Sequence, residues 1–223
     1  MPKHLLTVLA ILSCASAWAR DPAPSDICSR PPFEQTLGPV SNADKDSFTV
    51  FKRTCYTDAS GSYLLDLLVN KAKPAPKSQL SHALQIQLFK VDKGTRLQST
   101  ARDASSADEA GVAFLPELIE VGDIDGDGLI DPIIVYRFFE RDRSLQDDAF
   151  SGRIKIITFY KGQKVAIRAV TGTLDGSRST TASANFFLLP KKVQSHLVKK
   201  MKQMYDDGQF GFDNSFDFNP RRE

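Results

Sequence analysis

Residues 121–136 read VGDIDGDGLIDPIIVY, and this stretch limits the fold more than any other. Four aspartates and three glycines fall within residues 121–131, and a wall of Ile, Val and Tyr follows at once. Counted from Asp123, aspartate occupies positions 1, 3, 5 and 9, with glycine at 4 and 6. A tightly curled loop turns alternate side chains inward, so Asp123, Asp125 and Asp127 converge. The carbonyl of Leu129 adds a backbone oxygen, and Asp131 closes the set. A hard cation takes six to eight oxygens at roughly 2.4 Å, which makes calcium the expected occupant. Magnesium is less suited, because it keeps its own waters. Gly126 and Gly128 permit the positive φ angles that such a curl needs. With no cation, the crowded carboxylates repel, and either a pKa rises or the loop opens. The alternative is a solvated acidic turn whose glycines merely end a strand.

The loop is not an EF-hand. Position 12 is Ile134, where an EF-hand places a bidentate Glu. Pro132 and the apolar run behind it are strand-forming, so the expected order is strand, calcium loop, strand. A site fixed beside core strands suits holding structure better than sensing.

The remainder of the chain is long enough for a real core. It has 223 residues, 41% hydrophobic and 25% charged, which fits one domain or at most two small ones. The net charge of +2 gives no reason to expect nucleic acid as a partner. Residues 1–19 carry a basic start, an apolar run and Ala17-Trp18-Ala19, the pattern of a secretory signal peptide cleaved after Ala19. The apolar run is too short to span a bilayer as a helix. A competing route would lipidate Cys14 within ILSC. With Cys14 removed, Cys28 and Cys55 form an even pair, and in an oxidising compartment they are expected to make one disulfide. The destination is then periplasmic or secreted.

Residues 20–46 are rich in Pro, Ser and Asp and read as irregular, leaving 47–223 as one domain. Strand patterns occupy residues 47–57, 62–69, 84–91 and 132–139, and residues 153–170 read as a hairpin turning at Lys161-Gly162-Gln163. Residues 99–111, 141–152 and 173–184 read as polar loops. One long helix is expected over residues 190–205, with Pro190 at its first position and Val193, Leu197, Met201, Met204 and Tyr205 as its buried stripe. Its lysines, Lys191, Lys192, Lys199, Lys200 and Lys202, read as an outer solvated face or as a contact for an anionic envelope surface or acidic partner. Many strands followed by one helix give α+β, a mainly antiparallel sheet with a C-terminal helix packed on one face. A faint echo of the aspartate loop at residues 58–69 lacks the aspartates and is read as chance.

DIDGDGLIDPIIVY resembles the calcium loops of FG-GAP repeats, found in integrin-like propellers and in many bacterial surface proteins. A propeller needs several blades, and this chain has one clear loop. Residues 118–172 resemble more broadly a family of exported bacterial proteins with a single aspartate-rich loop, some labelled surface polysaccharide biosynthesis proteins. Lys155, Ile156, Ile157, Gly162, Lys164, Ala166, Ile167 and Arg168 match that family's hairpin, whereas Phe159, Tyr160, Val165 and Ala169 depart from it. The resemblance implies an exported calcium-loop fold and no particular activity.

GxSxG, HExxH and phosphate-binding glycine motifs do not occur. His82 and His196 are isolated, and lone histidines are usually structural. The expected function is therefore an exported, non-enzymatic calcium-binding protein that binds a protein or an envelope polymer. One alternative is an immunity or inhibitor protein against a secreted toxin. Another is a calcium-dependent hydrolase whose carboxylate pair meets only in the fold.

Overall fold

The computed structural model describes residue 28 and residues 48–70, 80–141, 151–172, 174–213 and 217–223. The expected signal peptide, Cys14, most of residues 20–46 and residues 142–150 of the expected polar loop lie outside the described residues.

Among the described residues, ten strands form two sheets. The first is an antiparallel meander of β1 (Phe48–Asp58), β2 (Gly61–Asn70), β3 (Ala83–Val91) and β4 (Thr95–Ala104). The second runs in the order β10-β9-β8-β7-β6-β5, built from β5 (Glu109–Phe114), β6 (Ile133–Glu140), β7 (Arg153–Tyr160), β8 (Gln163–Val170), β9 (Ser179–Ala182) and β10 (Arg221–Arg222). Every pairing is antiparallel except β9 with β10. One α-helix, α1 (Lys191–Asp206), follows. The α+β class with a C-terminal helix on one sheet face is what the molecule shows.

The layering explains the unbroken apolar run after the aspartate loop. On β6, Ile133 and Val135 face α1, whereas Ile134, Tyr136 and Phe138 face the first sheet. Successive strand side chains alternate between faces, so a strand buried on both sides must be apolar throughout. Residues Ile133 to Tyr136 are accordingly 0% exposed. Ile154, Ile156, Val165 and Ile167 extend the helix-side core, and Ile157, Phe159 and Ala166 the inter-sheet core. Leu65, Leu67, Leu84, Ile86 and Leu88 of the first sheet fill the other half of that second core.

Two segments read as loops are strands. Of residues 99–111, residues 99–104 belong to β4, an edge strand whose side chains are mostly at the surface, so its sequence is polar, and residues 109–111 open β5. Residues 179–182 form β9, four residues of Ser, Thr and Ala too short to show a period. The single sheet expected from the strand count is two sheets, stacked face to face.

The helix stripe is buried as expected at Val193, Leu197, Met201 and Met204, with Tyr205 partly covered. Pro190 sits one position earlier than expected, at the N-cap. The helix ends in a Schellman motif: Gly208, at φ +70°, donates to the Tyr205 carbonyl, and Gln209 donates to that of Met204. Phe210, Phe212 and Phe218 of the tail then fold back into the helix-side core. Cys28 and Cys55 are joined by a disulfide, with Cα atoms 5.2 Å apart.

Candidate metal centre

The segment between β5 and β6 holds the aspartate loop. It is closed at its base by an antiparallel bridge between Glu120 and Ile133, with hydrogen bonds of 3.0 and 2.8 Å. Gly126 and Gly128 have φ of +84° and +85°, the left-handed conformation the curl demands. The Asp123 carboxylate organises the interior, accepting from the N–H groups of Gly126 at 2.7 Å, Asp127 at 3.2 Å and Gly128 at 2.8 Å. Those backbone bonds, led by Gly128, hold the Asp123 carboxyl below the usual carboxylate range.

Asp123, Asp125 and Asp131 each bring a carboxylate oxygen to within 4.8 Å of the others. Oxygens about 2.4 Å from one shared ion lie at most about 4.8 Å apart, so this set can surround a single hard cation. Asp127 stands outside the group. Its Oδ2 pairs with Lys161 Nζ at 3.0 Å, and its Oδ1 accepts from Leu129 N–H at 2.9 Å. The Leu129 carbonyl remains an expectation from the loop's spacing.

Asp131 is the unusual member. It is 1% exposed, and its Oδ2 accepts from Ile124 N–H at 3.3 Å. Its Oδ1 has no hydrogen-bond donor among the described residues. A buried polar atom without a partner costs about 1–3 kcal/mol, and a charged one more. Burial pushes the Asp131 carboxyl up to about 7; the Ile124 N–H works against this, and the charges of Asp125, Asp127 and Asp123 add to it. A divalent cation would satisfy the orphaned oxygen and neutralise the crowded charge together. The donor set is all oxygen, which suits a hard ion.

Neighbours from four elements hold the loop. Tyr160, at the end of β7, donates its hydroxyl to Asp125 Oδ2 at 3.1 Å. It is placed there by the two-residue turn Lys161-Gly162, with φ of +50° and +75°, which also sets Lys161 over Asp127. On α1, Lys192 donates to the Asp125 carbonyl at 2.8 Å. The β1–β2 turn abuts the far side, where Ala59 donates to the Gly128 carbonyl at 3.0 Å and Ile130 donates to Asp58 Oδ2 at 3.2 Å. The segment read as a chance echo of the loop thus begins at the residue that braces it.

Glu120 anchors the loop's entry to the helix. Lys200 donates to its Oε1, and His196 Nε2 lies 2.7 Å from its Oε2. Lys200 was expected on the outer solvated face, but it is 6% exposed. It lies seven residues after Val193, on the buried side of α1, so its stem packs inward and its ammonium reaches the carboxylate. Burial pushes the Glu120 carboxyl up, and the hydrogen bonds and charges of Lys200 and His196 outweigh that and leave it below the usual range.

The contacts of Asp58, Tyr160, Lys192 and Glu120 were not readable from the sequence. Asp58 alone carried a signal, the Asp-x-Ser-Gly turn echoing Asp-x-Asp-Gly. Comparisons with family models, with curated proteins and with solved structures return no match for this chain.

Proposed function

We propose that this chain is an exported, non-enzymatic calcium-binding protein whose ion fixes the aspartate loop, and that it serves to bind an envelope or secreted macromolecule. The orphaned Oδ1 of buried Asp131, on a carboxyl grouped with those of Asp123 and Asp125, carries the reading. An all-oxygen set on a loop braced by both sheets and the helix favours calcium over softer metals. Export is supported by the leader-like start, the Cys28–Cys55 pair and the resemblance to exported single-loop proteins. No helix among the described residues is long and apolar enough to cross a membrane.

A binding role rather than a catalytic one is supported by how three other carboxylates among the described residues are used. Asp66 accepts from Nε and Nη2 of Arg53, each at 2.7 Å, Glu109 from Arg153 at 2.6 and 2.9 Å, and Asp103 from Lys155 at 2.5 Å. Each is committed to an ion pair, within a sheet for Asp66 and Glu109 and between the two sheets for Asp103. Thermal unfolding with calcium and with chelator tests the metal reading. Calcium should raise the melting temperature of the wild type, and Asp125→Ala should erase most of the difference. Identical curves for the wild type would leave only an acidic turn.

A further inference from the structure

The strand register gathers the β1–β2 turn (Asp58 paired with Gly61), the β3–β4 turn (Val91 with Thr95) and the β7–β8 turn (Tyr160 with Gln163) at the end of the molecule that carries the aspartate loop. The short 3-10 turn Ala184–Leu188 belongs to the same end, because Asn185 donates to the Lys164 carbonyl at 2.8 Å. The first turn of α1 follows, with Lys192 on the loop itself. A shallow depression beside the loop is lined by Ile124, Lys191, Lys192, Ser195, His196 and Lys199. Three residues before Lys191 in the chain, Leu188 is 80% exposed, and beside it Phe187 is 37% exposed, its ring packed on Phe186 at 5.2 Å and under Arg222 at 5.6 Å.

We propose that this pole docks on an anionic phospholipid surface, with calcium at the aspartate loop shared between the protein and a lipid phosphate. The proposal rests on the calcium reading above and names the partner for that site. Three observations converge on it. The ion would be asymmetrically held, since Asp131 is buried, Asp123 is at the surface, and Asp127 is turned to Lys161. Three carboxylates fill only part of a shell of six to eight oxygens, so positions on the solvent side are open to an outside oxygen. The lysines beside the loop complement phosphate charge, an attraction that weakens with salt. Leu188, 80% exposed, offers an apolar side chain that an acyl layer would receive and a hydrated polysaccharide would not.

Cosedimentation with vesicles tests this, using phosphatidylcholine alone or mixed with phosphatidylglycerol, each with calcium or with chelator. The wild type should sediment only with the mixed vesicles in calcium. Leu188→Ser should lower the apparent affinity about tenfold and Lys191→Gln about threefold. Both variants should keep the calcium-induced rise in melting temperature, since neither residue belongs to the carboxylate group. A rise in melting temperature with no sedimentation would overturn the docking and leave the metal site standing. Sedimentation that is equal in chelator, equal on phosphatidylcholine, or unchanged by Leu188→Ser would also overturn it. Calcium-dependent retention on an immobilised anionic polysaccharide, with no vesicle binding, would assign the pole to a soluble polymer instead. No rise in melting temperature would remove the calcium reading and this proposal together.

Discussion

The backbone N–H of Ile130 donates to the carboxylate of Asp58 at 3.2 Å, across 72 residues of chain. The bond joins the returning arm of the aspartate loop, which leads into β6 of the second sheet, to the first hairpin of the first sheet. Asp58 also accepts from its own turn, from Ser60 N–H at 2.8 Å and Ser60 Oγ at 2.7 Å. Asp58→Ala should therefore lower unfolding stability by about 1–2 kcal/mol. It should also weaken calcium binding, because the arm bearing Asp131 loses a support. Urea denaturation and calcium titration of the variant check both effects, and unchanged values would mean the contact between sheets contributes nothing.

Asp131→Asn separates the two roles of the buried carboxylate by sign. In chelator the substitution removes a charge that is buried beside Asp123 and Asp125, so the variant should unfold at the same temperature as the wild type or higher. In calcium the order should reverse, because the variant forfeits the stabilisation that ligand binding gives the native state. A variant less stable than wild type in both conditions by the same amount would show a purely structural residue.

Glu120 gives a pH dependence whose direction is fixed by its partners. Its carboxyl is held below the usual range in the folded protein, so its contribution is fully present above the unfolded value of about 4.3 and is lost as pH falls through the folded one. Measured in chelator, the melting temperature should drop on acidification below about pH 4.5. Glu120→Gln, which leaves the buried Lys200 without its counter-charge, should be about 1–2 kcal/mol less stable at neutral pH. The gap between the two proteins should narrow on going to low pH. A gap that stays constant would exclude the ion pair as its origin.

Replacing both Cys28 and Cys55 with Ala should cost about 3.5 kcal/mol, the chain-entropy value for a cross-link spanning 27 residues. Denaturation of the double variant beside the oxidised wild type provides the check. Loss of less than about 1 kcal/mol would mean that the segment near Cys28 is held by other contacts.

What could be read from the sequence follows the range of the interactions. The strands around Leu65, Ile86, Ile134 and Ile156 announce themselves because their side chains alternate or are buried on both faces. Gly126 and Gly128 state their backbone conformation through residue type alone. The stripe of α1 is likewise local. β4 and β9 escaped because edge and short strands carry few buried side chains, and polar residues at a sheet edge look like those of a loop. The division into two sheets depends on which faces meet, and no single strand encodes that. Lys200 shows the limit most clearly. A lysine on the helix stripe reads as solvated until a carboxylate 80 residues earlier is found opposite it. At the aspartate loop, spacing identified the carboxylates, but the pull of Lys161 on Asp127 arises from a turn 34 residues away.

Calorimetric titration of calcium into metal-free protein tests the central claim most directly. The wild type should bind a single ion per chain saturably, with binding lost in Asp125→Ala and Asp131→Asn. Binding that persists unchanged in both variants, or none in the wild type, would contradict it.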